Sequence, residues 1–406
     1  MNVILTGFKI AKTDFFVNLI LQVSFLSLYY VASVSIQQLV GSSDEIFLLV
    51  YGIYHIIIAI TLLACMFFLK KIKVQNIYRC AIAILAALII ILLLPKGPFG
   101  LVFIFIEGVF FAIGQLIAFT YFWNITTSEE RGRIAGFIGF FAIPLAYFVG
   151  IVTQLLDSFG IVIVAAFFVA AILATKVLNP EKRFRSRKNH EIEDGVSQEK
   201  RTVILYAIPW IIFSLINGTI DRNLSLHVIQ SVPEFLYFLL LLLQTIAAAF
   251  GALSGGVIAD LFGRKLALSF SLTLYGMSIA LGGFVQNIEV SYFVFASSGL
   301  NWGILWSLYG SVVWGDLSDE QNCFKRYAGG LIIFYFPLAL GLLLSNLISL
   351  IPVVWSALVG CSLIFLSNIP LFLAPELLSD DFRDKIRLKL HMNFVKKLDK
   401  KMHNQG

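Results

Sequence analysis

One acidic residue lies deep inside an apolar stretch of this 406-residue chain. Glu107 stands about eight residues into the run 99–123, which carries no other charged residue. An ionised carboxylate in a bilayer core costs roughly 2.5–3.5 kcal/mol or more, so such a residue is usually protonated, paired or facing water. Reversible proton uptake and binding of a polar solute are the chemistries that this predicts. The alternative is a neutral carboxyl hydrogen-bonded to a neighbouring helix, for example to His55.

Polar and aromatic residues also line up on single faces of other apolar runs. At 100° per residue, each group falls within a narrow arc of its helix. A lone polar residue in a membrane helix more often makes a contact between helices. The groups are Asn18, Gln22, Tyr29 and Ser33; Phe111, Gln115 and Phe122 beside Glu107; Trp210, Ser214, Asn217 and Asp221; and Ser298, Trp302, Trp306 and Tyr309, with Asn301 at the flank.

The elements that must position these residues are membrane helices. The chain is 59% hydrophobic and 13% charged, with a mean hydropathy of +0.89, which excludes a soluble globular protein. Each apolar run is long enough to cross roughly 30 Å of hydrocarbon. We therefore predict an all-α integral membrane protein with twelve transmembrane helices, at 15–38, 46–69, 76–94, 99–123, 134–156, 160–178, 203–224, 235–259, 266–286, 290–314, 328–350 and 353–373.

The basic residues predict the orientation. All of the 30 lysines and arginines except Lys96 and Arg222 fall on loops or ends of one side. Since basic residues near spanning helices resist translocation, that side is the cytoplasm and both termini are cytoplasmic. The net charge of +6 is thus a property of topology and does not indicate a nucleic-acid partner.

The twelve spans divide into two related sets of six. The segment Arg133-Ile-Ala-Gly136, with Pro144 beyond it, recurs 193 residues later as Arg326-Tyr-Ala-Gly329 with Pro337. Pro-Glu pairs follow spans six and twelve. Parallel six-helix repeats are a known transporter architecture. We predict two pseudo-symmetric six-helix bundles at 1–178 and 203–373, a cytoplasmic linker at 179–202 and a basic cytoplasmic tail at 374–406.

The loop between spans eight and nine carries a recognisable motif. It reads Gly256-Val-Ile-Ala-Asp260-Leu-Phe-Gly263-Arg264-Lys265. This resembles the loop signature of the major facilitator superfamily, Gly-x-x-x-Asp-(Arg)-x-Gly-Arg-Lys. In that family the best-known copy lies between spans two and three. Here that loop, Phe68-Leu-Lys-Lys-Ile-Lys73, keeps the positive charge but lacks the acid and both glycines.

The resemblance implies a secondary active transporter that moves a small solute by alternating access, with or without proton coupling. It places spans one, four, seven and ten around a central cavity. The implied binding candidates are Glu107, Asn18, Gln22, Tyr29, Gln115, Trp210, Ser214, Asn217, Asp221, Ser298, Asn301 and Trp302. The implied cytoplasmic gate contains Asp260, Gly263, Arg264, Lys265, Asp319 and Arg326. We expect Asp260 to pair with Arg264 or Arg326, or to accept backbone N–H groups at a helix N-terminus.

Other functions are less well supported by the residues. A nucleotide-binding loop is absent, so ATP is not the direct energy source. His55 and His227 are the only histidines in the membrane region, and they lack the partners that an enzyme would need. We expect no enzyme, no cofactor, no metal site and a monomer whose partners are a small solute, protons and lipid. The alternative is a transporter-fold protein that acts as a sensor or partner-binding subunit.

Overall fold

The computed structural model describes most of the chain. The described residues are 10–41, 44–68, 100–178, 200–221, 223–224, 232–284, 287–319, 322–378 and, in the tail, 384, 388 and 392. Between 156 and 178 the helix is described, but of its side chains only that of Val169. The predicted third span, the linker and most of the basic tail therefore lie outside the described residues.

Ten helices make up the described part of the chain. They are α1 (Lys12–Val40), α2 (Asp44–Phe68), α3 (Gly100–Ile125), α4 (Arg131–Leu178), α5 (Lys200–Ile216), α6 (Glu234–Phe262), α7 (Arg264–Phe284), α8 (Ile288–Leu305), α9 (Cys323–Ile348) and α10 (Val353–Leu373). Two of them change geometry along their length. A π-helical turn, Asn217–Asp221, continues α5, and another, Trp306–Val313, continues α8 into Trp314–Asp316. Such π segments occur frequently at functional sites.

The helices confirm a multi-pass membrane protein. Among the described residues, nine helices are long and apolar enough to cross a membrane. Large apolar side chains also cover the outside of the bundle, as at Phe250, Phe270 and Phe372, each more than half exposed. In a lipid solvent such a surface needs no protein partner.

The region predicted as spans five and six differs from expectation. The sequence predicts separate helices at 134–156 and 160–178, whereas the structure has one continuous helix, α4, of 48 residues with Pro144 inside it. At about 1.5 Å per residue this helix is far longer than one crossing requires. The twelve-helix count stays a prediction.

Glycines let the N-terminal helices α1–α4 approach the C-terminal helices α5–α10. Where α4 crosses α6, a Cβ atom at Gly136 would lie 2.6 Å from the carbonyl oxygen of Ala252. Gly132 and Gly256 meet one turn nearer the start of α4. A second crossing joins α2 to α9, where a Cβ at Gly52 would lie 3.0 Å from Leu343. Small residues of this kind allow helix backbones to pack closely in membranes.

Candidate functional site

A cluster of buried charges lies where α6 ends and α7 begins, which we call the Asp260 end of the bundle. The Asp260 side chain is fully buried and accepts four hydrogen bonds from two sides. From the first turn of α4 come the backbone N–H groups of Gly132 (3.0 Å) and Arg133 (2.9 Å) and the Arg133 Nε–H (3.0 Å). The fourth donor is the guanidinium of Arg264, one turn further along the chain. The helix N-terminus and two guanidiniums together compensate the buried carboxylate.

Arg264 extends this cluster to a second acid. Its side chain is fully buried, and its Nε–H donates to Asp316 Oδ2 at 2.9 Å. Its remaining terminal nitrogen donates to the Ser128 carbonyl oxygen at 2.7 Å. The other Asp316 oxygen pairs with Arg131, at the start of α4. We name these five residues, Asp260, Arg264, Asp316, Arg131 and Arg133, the Asp260 cluster.

The Asp260 cluster therefore joins the N-terminal helices to the C-terminal helices at one end. The indole N–H of Trp123 adds a bond to the Gly315 carbonyl oxygen at 2.9 Å, from the end of α3 to the end of α8. Beneath it, the rings of Phe119 and Tyr327 stack at 5.8 Å. Buried ion pairs cost much desolvation energy, and removing one partner costs about 3–5 kcal/mol because the other charge is left uncompensated.

The start of the tail is also bound at this end. The Glu376 carboxylate accepts the backbone N–H groups of Arg264 (2.8 Å) and Lys265 (3.2 Å), which caps α7. Gly263, with φ of 110°, lies against the same carboxylate, so a Cβ there would collide with it. Lys265 Nζ donates to the carbonyl oxygens of Phe372 and Ala374 at 2.7 and 3.0 Å.

The predicted gate residues fall into two groups. Asp260, Gly263, Arg264 and Lys265 meet at the Asp260 end, and Asp260 uses both expected kinds of partner, Arg264 and a helix N-terminus. Asp319 is exposed and accepts hydrogen bonds from the backbone and side chain of Asn322, at 2.8 and 2.9 Å. Arg326 is half-buried in the first turn of α9, and the cation that pairs with Asp260 from another helix is Arg133 instead.

Sequence reasoning did not select Asp316 or Arg131. Asp316 lies two residues after the apolar run 290–314, and Arg131 lies three residues before the run 134–156. The sequence does contain one signal for their pairing: an acidic and a basic residue stand at the ends of two predicted spans on the same side of the membrane. Only the packing of α4 against α8 shows that they pair.

Glu107 lies in α3, seven residues from the helix end that is remote from the Asp260 end. It is buried, and its polar neighbour is the Tyr54 hydroxyl of α2 rather than His55. Within the described residues, neither Glu107 oxygen nor the Tyr54 hydroxyl forms a well-oriented hydrogen bond. A buried carboxyl with spare acceptor capacity can take a proton or an external donor.

His55 forms a hydrogen-bonded contact beside this carboxyl. The ring is fully buried, with Nδ1 at 2.7 Å from the Tyr51 carbonyl oxygen and Nε2 at 3.0 Å from the Tyr29 hydroxyl. A carbonyl oxygen can only accept, so Nδ1 donates and Nε2 accepts from Tyr29 in a neutral imidazole. His55 is thus a packed histidine whose two ring nitrogens both have partners.

Aromatic rings form a continuous wall through the centre of the bundle. The Tyr335 hydroxyl of α9 donates to Gln115 Oε1 of α3 at 2.9 Å, which links the two groups of helices at mid-depth. From Tyr335 the wall passes to Phe334, with ring centroids 5.0 Å apart. Trp306 packs edge-on against Phe334 at 5.9 Å, and Trp302, which is half-buried, stacks on Trp306 at 5.4 Å.

Several other predicted residues contact neighbouring helices. Trp210 stacks on Tyr309 and Phe334, both at 4.6 Å, and its indole N–H donates to the Gly330 carbonyl oxygen at 3.1 Å. Ser214 donates to the Trp210 carbonyl oxygen of its own helix at 2.6 Å. Asn217 and Asp221 begin and end the π turn of α5.

The predicted amide and hydroxyl side chains of α1 and α8, namely Asn18, Gln22, Ser298 and Asn301, are also buried. Asn18 donates to the Ala118 carbonyl oxygen at 3.3 Å, and Gln22 lies one turn further along α1. On α8, Ser298 accepts from Gln244 at 3.4 Å, and Asn301 accepts from Ser271 through its side chain and its carbonyl oxygen. These contacts run to α6 and α7, whereas the Trp302 ring belongs to the aromatic wall.

A search for metal ligands gives a negative result for the described residues. There, no group of three or more His, Cys, Asp or Glu side chains could hold a metal ion. The three cysteines that the structure describes, Cys65, Cys323 and Cys361, are separate and buried. The described side chains thus offer hydrogen-bonding and aromatic surfaces rather than a coordination site.

The sequence matches no family model and no curated protein. The fold, however, is similar to that of solved structures. Two of them are crystal structures of a bacterial homologue of the iron transporter ferroportin in the outward-facing state, one with soaked iron. They align with TM-scores of 0.67 and 0.65 at 11% identity, covering 89% of this chain and 98% of theirs. The membrane-transporter fold implied by the loop motif is therefore confirmed.

Proposed function

We propose that this chain is a secondary active transporter that moves a small solute by alternating access, and that its cytoplasmic side is closed here. The Asp260 cluster is the observation that carries the proposal. It joins the starts of α4 and α7 to the ends of α6 and α8 through buried charges, and such charges are costly unless all partners are present. A contact of this kind holds one side of a transporter shut and must break when that side opens.

The orientation and the similar structures support this state. The loops that form the Asp260 end carry Arg131, Arg133, Arg264, Lys265 and Lys325, so the positive-inside rule assigns that end to the cytoplasm. The similar structures are outward-facing, the state in which the inner side of a transporter is closed. Their soaked iron is not transferred to this chain, because its described residues present no group of metal ligands.

Removing the Asp260 charge tests the gate. Asp260→Asn leaves Arg264 and Arg133 without their shared carboxylate, and the closed state loses about 3–5 kcal/mol. Because only the closed state has the contact, the population shifts toward inward-open. Native Cys323, buried at the start of α9, reports on this end. In a background where it is the only cysteine, its maleimide labelling rate is expected to rise at least about tenfold, while solute flux in proteoliposomes falls.

Glu289→Gln is the control, since it also removes one exposed carboxylate but at the opposite end of the bundle, away from Cys323. We expect its Cys323 labelling to stay within about twofold of the parent, as for most surface substitutions. Equal labelling of the parent and Asp260→Asn would mean that Asp260 only supports its own loop. Absence of flux for every solute tested, with labelling unchanged by them, would favour the sensor function instead.

Glu107 is the residue through which we propose proton coupling. Its buried carboxyl, with Tyr54 as its polar neighbour, can gain and lose a proton as access alternates. Glu107→Gln keeps the shape but cannot ionise. We expect uptake driven by a pH gradient to fall to background, while the melting temperature stays within a few degrees. Uptake that still follows the pH gradient in this variant would remove Glu107 from the mechanism.

A further inference from the structure

Beside Glu107, a group of rings with electron-rich faces adjoins the aromatic wall at Tyr335. Tyr29 lies between His55 and Phe111, with ring centroids at 5.7 Å from each. Tyr51 packs edge-on against His55 at 4.4 Å, and Tyr335 approaches His55 at 5.8 Å. We call these five residues the Tyr29 cage. Its rings come from α1, α2, α3 and α9.

The cage has both an open edge and a buried carboxyl group behind it. Tyr29 and Tyr51 are only half-buried, so part of each side chain is left uncovered by the protein. Behind them, Tyr54 stacks parallel to Tyr51 at 6.1 Å, and its hydroxyl faces the Glu107 carboxyl. Both Glu107 oxygens lack a well-oriented hydrogen bond within the described residues, although the side chain is only 5% exposed. A buried carboxyl in that condition has free acceptor capacity, and its ionised form would be stabilised by a bound cation, because an isolated buried charge is costly.

The surrounding charges select for a cation. The lysines and arginines whose side chains the structure describes lie at the helix ends of the Asp260 end, so none of them can neutralise Glu107. At the opposite end, α2 begins with Asp44 and Glu45, and α8 has Glu289 in its first turn. Acids at the entrance raise the local concentration of cations.

We propose that the Tyr29 cage and Glu107 bind a monovalent organic cation with a bulky apolar body. This deepens the proposed function, on which it rests, by naming the class of solute. Ring faces attract a desolvated cation, and quaternary ammonium groups are recognised in this way. A divalent metal ion needs several oxygen, nitrogen or sulfur ligands, which the described residues do not group together.

Tetraphenylphosphonium is a suitable probe, because triphenylphosphine oxide has similar aromatic bulk without the charge. Calorimetric titration of the purified chain should show saturable tetraphenylphosphonium binding, with the neutral compound at least about tenfold weaker. In Glu107→Gln the affinity for tetraphenylphosphonium should fall about 30-fold or more, as when one partner of a buried charge pair is removed. The control Asp319→Asn, an exposed acid at the other end, should bind as the parent does.

A second pair of variants tests the rings independently of Glu107. Tyr29→Phe removes the hydroxyl that donates to His55 but keeps the ring face, so binding should stay within about threefold. Tyr29→Leu removes the ring, and binding should weaken about tenfold or more. Tyr292→Leu is the control, since Tyr292 is 41% exposed on α8 and does not belong to the cage. If Tyr29 acted only through the hydrogen bond of its hydroxyl to His55, both variants would bind tetraphenylphosphonium more weakly.

Equal affinity for the charged and neutral probes, or an unchanged affinity in Glu107→Gln and Tyr29→Leu, would overturn the cation site. Saturable manganese(II) binding without tetraphenylphosphonium binding would overturn it in favour of a metal cargo.

The proposed transport function can fail independently of the cation site. If tetraphenylphosphonium binds as expected but proteoliposomes move neither it nor any other solute, the site stands and transport does not. If another solute is transported while tetraphenylphosphonium does not bind, transport stands and the cation site is wrong.

Discussion

At the scale of single residues, Arg264 shows why side-chain shape matters as much as charge. Its guanidinium bonds to Asp260, to Asp316 and to the Ser128 carbonyl oxygen at the same time. A guanidinium is a rigid, planar fork with five N–H donors, so it can serve three acceptors at once. A lysine carries the same charge on a single nitrogen and cannot reach three separated acceptors. The cluster therefore depends on the residue type and not on positive charge alone.

Arg264→Lys is expected to destabilise the closed state although it conserves the charge. At least one buried acceptor loses its donor, which costs about 1–3 kcal/mol. The melting temperature of the purified protein should fall by several degrees, and the labelling rate of Cys323 should rise. Arg326→Lys makes the same replacement at a half-buried position outside the cluster and should change neither quantity measurably. Identical behaviour of the two variants would mean that the bonds of Arg264 do not hold the closed state.

At the scale of helices, the two Arg-x-Ala-Gly segments differ in how closely they pack against other helices. Gly136 in α4 and Gly329 in α9 occupy matching places in the Arg-x-Ala-Gly segments. A Cβ at Gly136 would lie 2.6 Å from the Ala252 carbonyl oxygen, whereas a Cβ at Gly329 would find no atom within 4 Å. The close crossing with another helix is thus present at the first of these positions and absent at the second.

This difference predicts unequal effects of one methyl group. Gly136→Ala forces α4 and α6 apart, and overpacking of this kind typically costs about 1–3 kcal/mol. Gly329→Ala places its methyl group in open space and should be neutral or slightly stabilising, because alanine is the better helix former. Thermal unfolding of both variants in the same detergent measures the contrast. A milder effect at Gly136 than at Gly329 would contradict the described crossing.

At the scale of the whole molecule, charge and apolar surface are sorted by the membrane. The basic residues whose side chains are described gather at the Asp260 end, the first turns of α2 and α8 at the other end are acidic, and large apolar side chains cover the sides. Both patterns minimise the free energy in a bilayer, since apolar groups face lipid and basic residues stay in the cytoplasm. The orientation with cytoplasmic termini remains a prediction from this charge pattern.

Single cysteines at the two ends test the orientation. Glu289→Cys and Lys325→Cys place exposed thiols at opposite ends of the bundle, in a background without native cysteines. A membrane-impermeant maleimide added to intact cells should label position 289 at once, and position 325 only after permeabilisation. The reverse pattern would show that the chain is inverted, and the Asp260 cluster would then close the outer side.

The sequence by itself determined the features that depend on local composition. Continuous apolar runs predict membrane helices, because about 20 apolar residues in succession are enough for a helix to cross the hydrocarbon core, whatever the rest of the chain does. The intramembrane acid Glu107 and the loop from Gly256 to Lys265 can also be recognised from neighbouring residues alone. The same holds for the pairing of Asp260 with Arg264, which lies four residues further along the chain. These features need no knowledge of which helices touch.

The tertiary structure decided which distant residues meet. Arg131 pairs with Asp316 across 185 residues, and Tyr335 donates to Gln115 across 220. The pairing of Asp260 with Arg133 rather than Arg326 depends likewise on the glycine crossing of α4 and α6. Helix packing has several solutions for the same apolar faces, so a sequence pattern cannot select among them. The crossing angle and depth select one, and only then do the Asp260 cluster and the Tyr29 cage exist as sites.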